Sequence, residues 1–149
     1  MEEFDSIEKV IELFKNENGY GGNNTFFVAY KDLQKSSGMV SGMEYPYDGL
    51  LMNQTEKGIG MFFLQQAGMV LTQTVTKMSI QKDHYVFIAK EDIKKITIKN
   101  YALINSKVKR ICIDVNDGRS YKLFARLNEK TIPYQTENLT KFINNNMQK

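Results

Sequence analysis

Between Pro46 and Arg126 the chain sets out a run of short β-prone segments too close together for helices to fit between them. Residues 50–53, the turn Thr55-Glu56-Lys57-Gly58 and residues 59–64 read as a hairpin. Residues 70–75, 79–81, 85–89, 96–99, 108–115 and 119–126 follow. Parallel neighbours need a crossover of roughly a dozen residues or more. The spacing therefore predicts an antiparallel sheet of about seven strands.

The last hairpin is specified down to its register. Ile111, Ile113 and Val115 alternate on one face, and so do Tyr121, Leu123 and Ala125. Opposed residues share a face, so Ile113 must pair with Tyr121 and Ile111 with Leu123. This leaves Asn116-Asp117-Gly118 as a three-residue loop, with Gly118 taking the left-handed conformation.

Helical patterns flank the strands. In residues 133–147, Leu139, Phe142, Ile143 and Met147 form one apolar face, and Pro133 suits the first turn. In residues 5–18, Ile7, Val10, Ile11 and Phe14 form another, with Asp5 and Glu8 spaced as a capping box and Gly19 as the stop. Residues 25–36 carry both signals. Phe26, Ala29, Tyr30 and Leu33 make a helical stripe, while Phe26, Phe27, Val28 and Tyr30 favour a strand. The stripe leans the reading to helix, with a Ser- and Gly-rich linker running on to Pro46.

Strands followed by one terminal amphipathic helix resemble a pleckstrin-homology-like (PH-like) domain. The stretch from Phe87 to Arg126 is similar to the second half of bacterial PH-like and GRAM-like domains. The matching residues are Ile93, Ile96, Ile98, Ile111, Ile113, Asp117, Gly118, Tyr121 and Leu123. The resemblance covers residues 47–147. It implies an α+β, mainly β fold: an antiparallel barrel of about seven strands capped by the C-terminal helix. Residues 1–45 would then be an N-terminal helical extension packed on the barrel, and residues 46–149 the barrel domain. The fold hosts lipid, peptide and protein binding alike. Lipid-binding members place several Lys and Arg around the first hairpin; here that hairpin offers Lys57 alone.

Catalytic parts are few. His84 is the only histidine and reads as a surface residue; Cys112, the only cysteine, reads as a small packing residue under the N-terminal segment. Asp92, Asp114 and Asp117 follow no metal-site spacing. Neither Gly19-Tyr20-Gly21-Gly22 nor Gly58-Ile59-Gly60 has the setting of a phosphate loop. These features imply no enzyme, no metal and no cofactor.

One cysteine, an acidic opening and no apolar run of roughly 18 residues point to the cytoplasm. Residues 1–45 hold four lysines against eight carboxylates, and the remainder sixteen basic against nine acidic residues. The RNA-binding aromatic motif is missing, so nucleic acid is not an expected partner. The outer face of the last strands gathers Arg110, Lys122, Phe124 and Arg126, with Arg110 opposite Phe124 as a candidate cation–π pair. The resulting expectation is an interaction or scaffold module that binds a protein or itself through that face. A peripheral module binding anionic lipid through the basic half is the alternative.

Overall fold

A computed structural model describes residues 4–31, 48–66, 78–102 and 105–146. The expected segment at 70–75, the linker and Met147 lie outside the described residues. The protein is mainly β. Helix α1 (Ile7–Phe14) precedes β1 (Thr25–Lys31), β2 (Gly49–Thr55), β3 (Gly58–Gln66) and β4 (Met78–Ala89). A 3₁₀ turn leads to β5 (Ile93–Ala102), β6 (Asn105–Val115), β7 (Ser120–Arg126) and helix α2 (Gln135–Asn146). All pairings are antiparallel, in the order β4-β3-β2-β1-β7-β6-β5. The sheet is open among the described residues, with β4 and β5 at its edges.

The helices cover opposite faces. Leu139 and Phe142 of α2 pack with Phe27, Met52, Met61, Ile111, Ile113 and Leu123, and the Phe142 ring lies 4.6 Å from that of Phe27. Val10 and Phe14 of α1 are fully buried against Phe26, Val28, Leu51 and Phe62. The stripe of α1 is as the spacing predicts, but the helix ends at Phe14 and its cap is Ser6, whose Oγ accepts the Lys9 N–H at 3.3 Å. Asp5 instead pairs with the Lys9 ammonium at 2.8 Å.

Residues 25–31 are a strand, which corrects the lean towards helix. β1 is the middle strand of the seven, and every residue from Thr25 to Tyr30 is buried. Phe27 and Ala29 face α2, while Phe26, Val28 and Tyr30 face α1. A strand buried on both faces loses its period-two pattern and reads as a continuous apolar run. A boundary at residue 45 therefore falls after the central strand, and the hairpin carrying Lys57 joins β2 to β3. It is not the first hairpin of the sheet.

The two segments at 79–81 and 85–89 are one strand, β4, interrupted by a bulge. Phe62 pairs with Tyr85 and Phe63 with Gln81, so residues 82–84 bulge out. An odd insertion switches faces. Met78 and Ile80 accordingly join the α1 side, and Val86 and Ile88 the α2 side.

The last hairpin has the register read from its pattern: Ile113 pairs with Tyr121 and Ile111 with Leu123. The Val115 N–H donates to the Arg119 carbonyl at 2.9 Å across the loop, and Gly118 sits at φ +100°. No heavy atom would meet a Cβ at Gly118, so the backbone angle alone demands glycine there. Gly118→Val should destabilise the protein by about 1 kcal/mol or more, measured by urea unfolding, through resistance of a β-branched residue to positive φ. An unchanged midpoint would mean that the turn relaxes freely.

Candidate functional site

The face of β5, β6 and β7 turned away from α2 is basic. Inward isoleucines on β6 leave Arg110, Cys112 and Asp114 on the other side, and β7 adds Ser120, Lys122, Phe124 and Arg126. The β5–β6 register sets Lys99 beside Arg110, Thr97 beside Cys112 and Lys95 beside Asp114. Three strands thus bring five cations to one surface. Its carboxylate, Asp114, accepts the Ser120 hydroxyl at 2.8 Å, and the Lys122 ammonium donates to the same hydroxyl oxygen at 3.1 Å.

Of the four residues singled out in the sequence, all lie on this face. Arg110 is opposite Phe124 in the register, as the pattern requires. Phe124 stacks on Tyr30 of β1 at 4.9 Å and 9°, and the Arg126 guanidinium lies 4.8 Å from the Tyr30 ring centre and 5.5 Å from that of Phe124. Sequence reasoning missed Lys95 and Lys99, because the β5–β6 register shifts between Ile93 and Lys95. It also missed Tyr30, hidden in the misread strand.

Glu129 meets this group at Arg126 and the Tyr30 hydroxyl. Burial raises its pKa above the ordinary glutamate value, against the opposing pull of Arg126 and the Tyr30 hydroxyl, and Oε2 is buried with no hydrogen-bond partner among the described residues. A carboxyl that holds its proton more tightly when folded favours the fold fully at low pH and loses that contribution as pH rises through its folded pKa. Glu129→Gln should therefore raise the melting temperature at pH 7, with the gain shrinking towards pH 4. A gain that grows on acidification would overturn this assignment.

His84 and Cys112 are far apart in the sheet, on β4 and β6 with four strands between them. The His84 ring is exposed in the β4 bulge and stacks on Phe63 at 5.9 Å. Cys112 is half-buried; its Sγ lies 3.5 Å from Asp114 Oδ1 and 3.6 Å from Ser120 Oγ. It thus sits in a polar row and is not part of the apolar cluster under α1. Among the described residues no three His, Cys, Asp or Glu side chains converge as a metal site would require.

A cleft of about 400 Å³ opens between the β2–β3 turn and the end of α2, with Lys90 and Lys141 on its walls. Several of its polar groups serve each other. Gln54 and Asn146 exchange two amide hydrogen bonds of 2.9 Å, and the Glu56 carboxylate accepts the Gly22 and Asn23 N–H groups at 3.2 and 3.3 Å. Hydrogen bonds from its own backbone N–H and from these two hold Glu56 below its ordinary pKa. The glycine-rich loop thus cradles a carboxylate of its own chain. No helix among the described residues is long and apolar enough to cross a membrane.

No protein-family model matches the chain, nor does any curated protein or solved structure.

Proposed function

We propose that the protein is a non-enzymatic interaction module of PH-like architecture whose β5–β7 face receives an acidic protein partner. The observation that carries this reading is the asymmetry of that face, with Lys95, Lys99, Arg110, Lys122 and Arg126 set against Asp114. A single-sign surface steers oppositely charged partners and fixes their register more than it adds raw affinity. What supports the PH-like reading is the coarser pattern, seven antiparallel strands followed by one amphipathic helix packed on a face of the sheet; the barrel closure itself is part of the proposal. The lipid alternative calls for a shared basic face around Lys57, Lys77 and Lys82; Lys77 lies outside the described residues, and Lys57 at the β2–β3 turn and Lys82 in the β4 bulge are several residues along β3 from each other. Those two share no face of the kind found on β5–β7.

The test is fluorescence titration of the full chain with a glutamate-rich peptide, beside co-sedimentation with phosphatidylserine vesicles. The peptide should bind with strong salt dependence. Lys99→Glu combined with Lys122→Glu should weaken it by at least ~10-fold, equivalent to ~1.4 kcal/mol. Vesicle binding that exceeds peptide binding, and is untouched by these changes, would transfer the function to the lipid reading.

A further inference from the structure

The basic face ends at an open strand. β5 pairs with β6 on one side and has no neighbour on the other among the described residues. An unpaired edge presents a row of N–H and C=O groups, which proteins commonly blunt with bulges, prolines, short strands or edge lysines, the last of which repel a like-charged strand and leave an acidic one free to pair. The two edges of this sheet differ in that respect. β4 is broken by the bulge at residues 82–84. β5 contains no proline, and from Lys95 to Asn100 it pairs with β6 without a shift. Six regular residues make an ordinary strand-length template.

The side chains along this edge fall into two rows. Towards α2, Ile96 and Ile98 belong to the core yet remain only half-buried, in a cluster that also holds the half-buried Ile143 of α2. Towards the basic face, Lys95 and Lys99 are exposed, with Thr97 between them. Neither ammonium group has an ion-pair or hydrogen-bond partner among the described residues. The edge therefore offers unpaired backbone, incompletely covered isoleucines and unneutralised ammonium groups in strict alternation.

We infer that the β5 edge takes an extended segment of a partner protein by strand addition, a segment in which apolar and acidic residues alternate. Main-chain hydrogen bonds would hold the segment, and the alternating side chains would select it. Its apolar residues come to lie beside Ile96 and Ile98 and complete their burial; its carboxylates come to lie beside Lys95 and Lys99. A second copy of this chain fits poorly, because pairing two β5 strands sets lysines next to lysines, and opposed like charges destabilise a sheet. The inference rests on the acidic-partner reading and adds the conformation and pattern of the partner.

Four end-blocked peptides built from the same amino acids separate the two. One alternates as Glu-Val-Glu-Ile-Glu-Val-Glu, one groups its glutamates at one end, and two are the alternating peptide N-methylated at every second residue, one in each phase. The alternating peptide should bind the full chain at least ~10-fold more tightly than the grouped one, and one methylation phase should remove that advantage. Amide NMR shifts should centre on residues 95–100. Equal binding of alternating and grouped peptides would overturn strand addition and leave the acidic-partner reading standing. No binding of any peptide would overturn both. Shifts centred on β4, or a dimer through β5 in sedimentation velocity, would overturn the assignment of this edge to a partner segment.

Discussion

Gln135→Leu should cost the protein about 3–6 kcal/mol and leave it barely folded at room temperature, because two buried hydrogen bonds and a third, partly buried one disappear at once and each stranded group costs roughly 1–3 kcal/mol. The side chain of Gln135 is fully buried at the start of α2. Its Oε1 accepts the Val28 N–H at 2.9 Å, while Nε2 donates to the Val28 carbonyl at 3.0 Å and the Arg126 carbonyl at 2.8 Å. β1 and β7 pair directly only at Tyr30–Phe124 and Lys31–Leu123. Beyond those pairs the primary amide stands in for a strand, serving backbone groups from both sides of the opening. Asparagine is one methylene shorter and should recover little. Gln135→Glu should be as damaging as leucine at pH 7, since a carboxylate would face two carbonyls, and milder where the acid is protonated and can donate. Urea unfolding followed by circular dichroism measures each. A leucine variant within ~1 kcal/mol of the parent would mean that water or a local shift replaces the amide.

Such a residue is nearly illegible in sequence. A glutamine near the start of an amphipathic helix looks like part of its solvated face, and only the tertiary arrangement reveals that it is buried. The β6–β7 hairpin is the opposite case. Its strands are covered on one face, so alternation survives, and Gly118 marks the loop length. β1 lost its pattern by being covered twice, and β4 was split because the bulge at residues 82–84 interrupts both its pairing and its alternation. The candidate surface was half legible for the same reason. The β7 contribution followed from the hairpin, while Lys95 and Lys99 depended on a β5–β6 register that an irregularity at Ile93 conceals.

The chain from residue 46 to 149 alone should fail to fold, in contrast to what an independent barrel beginning there would do. Such a fragment lacks β1, the strand that pairs with β2 on one side and β7 on the other. Without it the β2–β4 and β5–β7 groups lose the strand that joins them among the described residues. It also strips away Phe26, Phe27, Val28, Ala29 and Tyr30, all buried. At roughly 1.5–3 kcal/mol for each large apolar side chain, the lost burial alone rivals the ~5–15 kcal/mol stability of a typical domain. The Val28 groups that satisfy Gln135 vanish with it. A second fragment, residues 21–149, isolates the role of α1. It keeps the whole described sheet but uncovers Phe62 and Leu51, and it deprives the Tyr134 hydroxyl of the Phe4 carbonyl that accepts it at 2.6 Å. This longer fragment should retain a cooperative β-sheet melt at lower temperature and self-associate through the exposed apolar face. Far-UV circular dichroism, thermal melts and sedimentation velocity on the two fragments decide the matter. A cooperative, parent-like melt of residues 46–149 would show that β1 is dispensable and that the sheet can form without its middle strand.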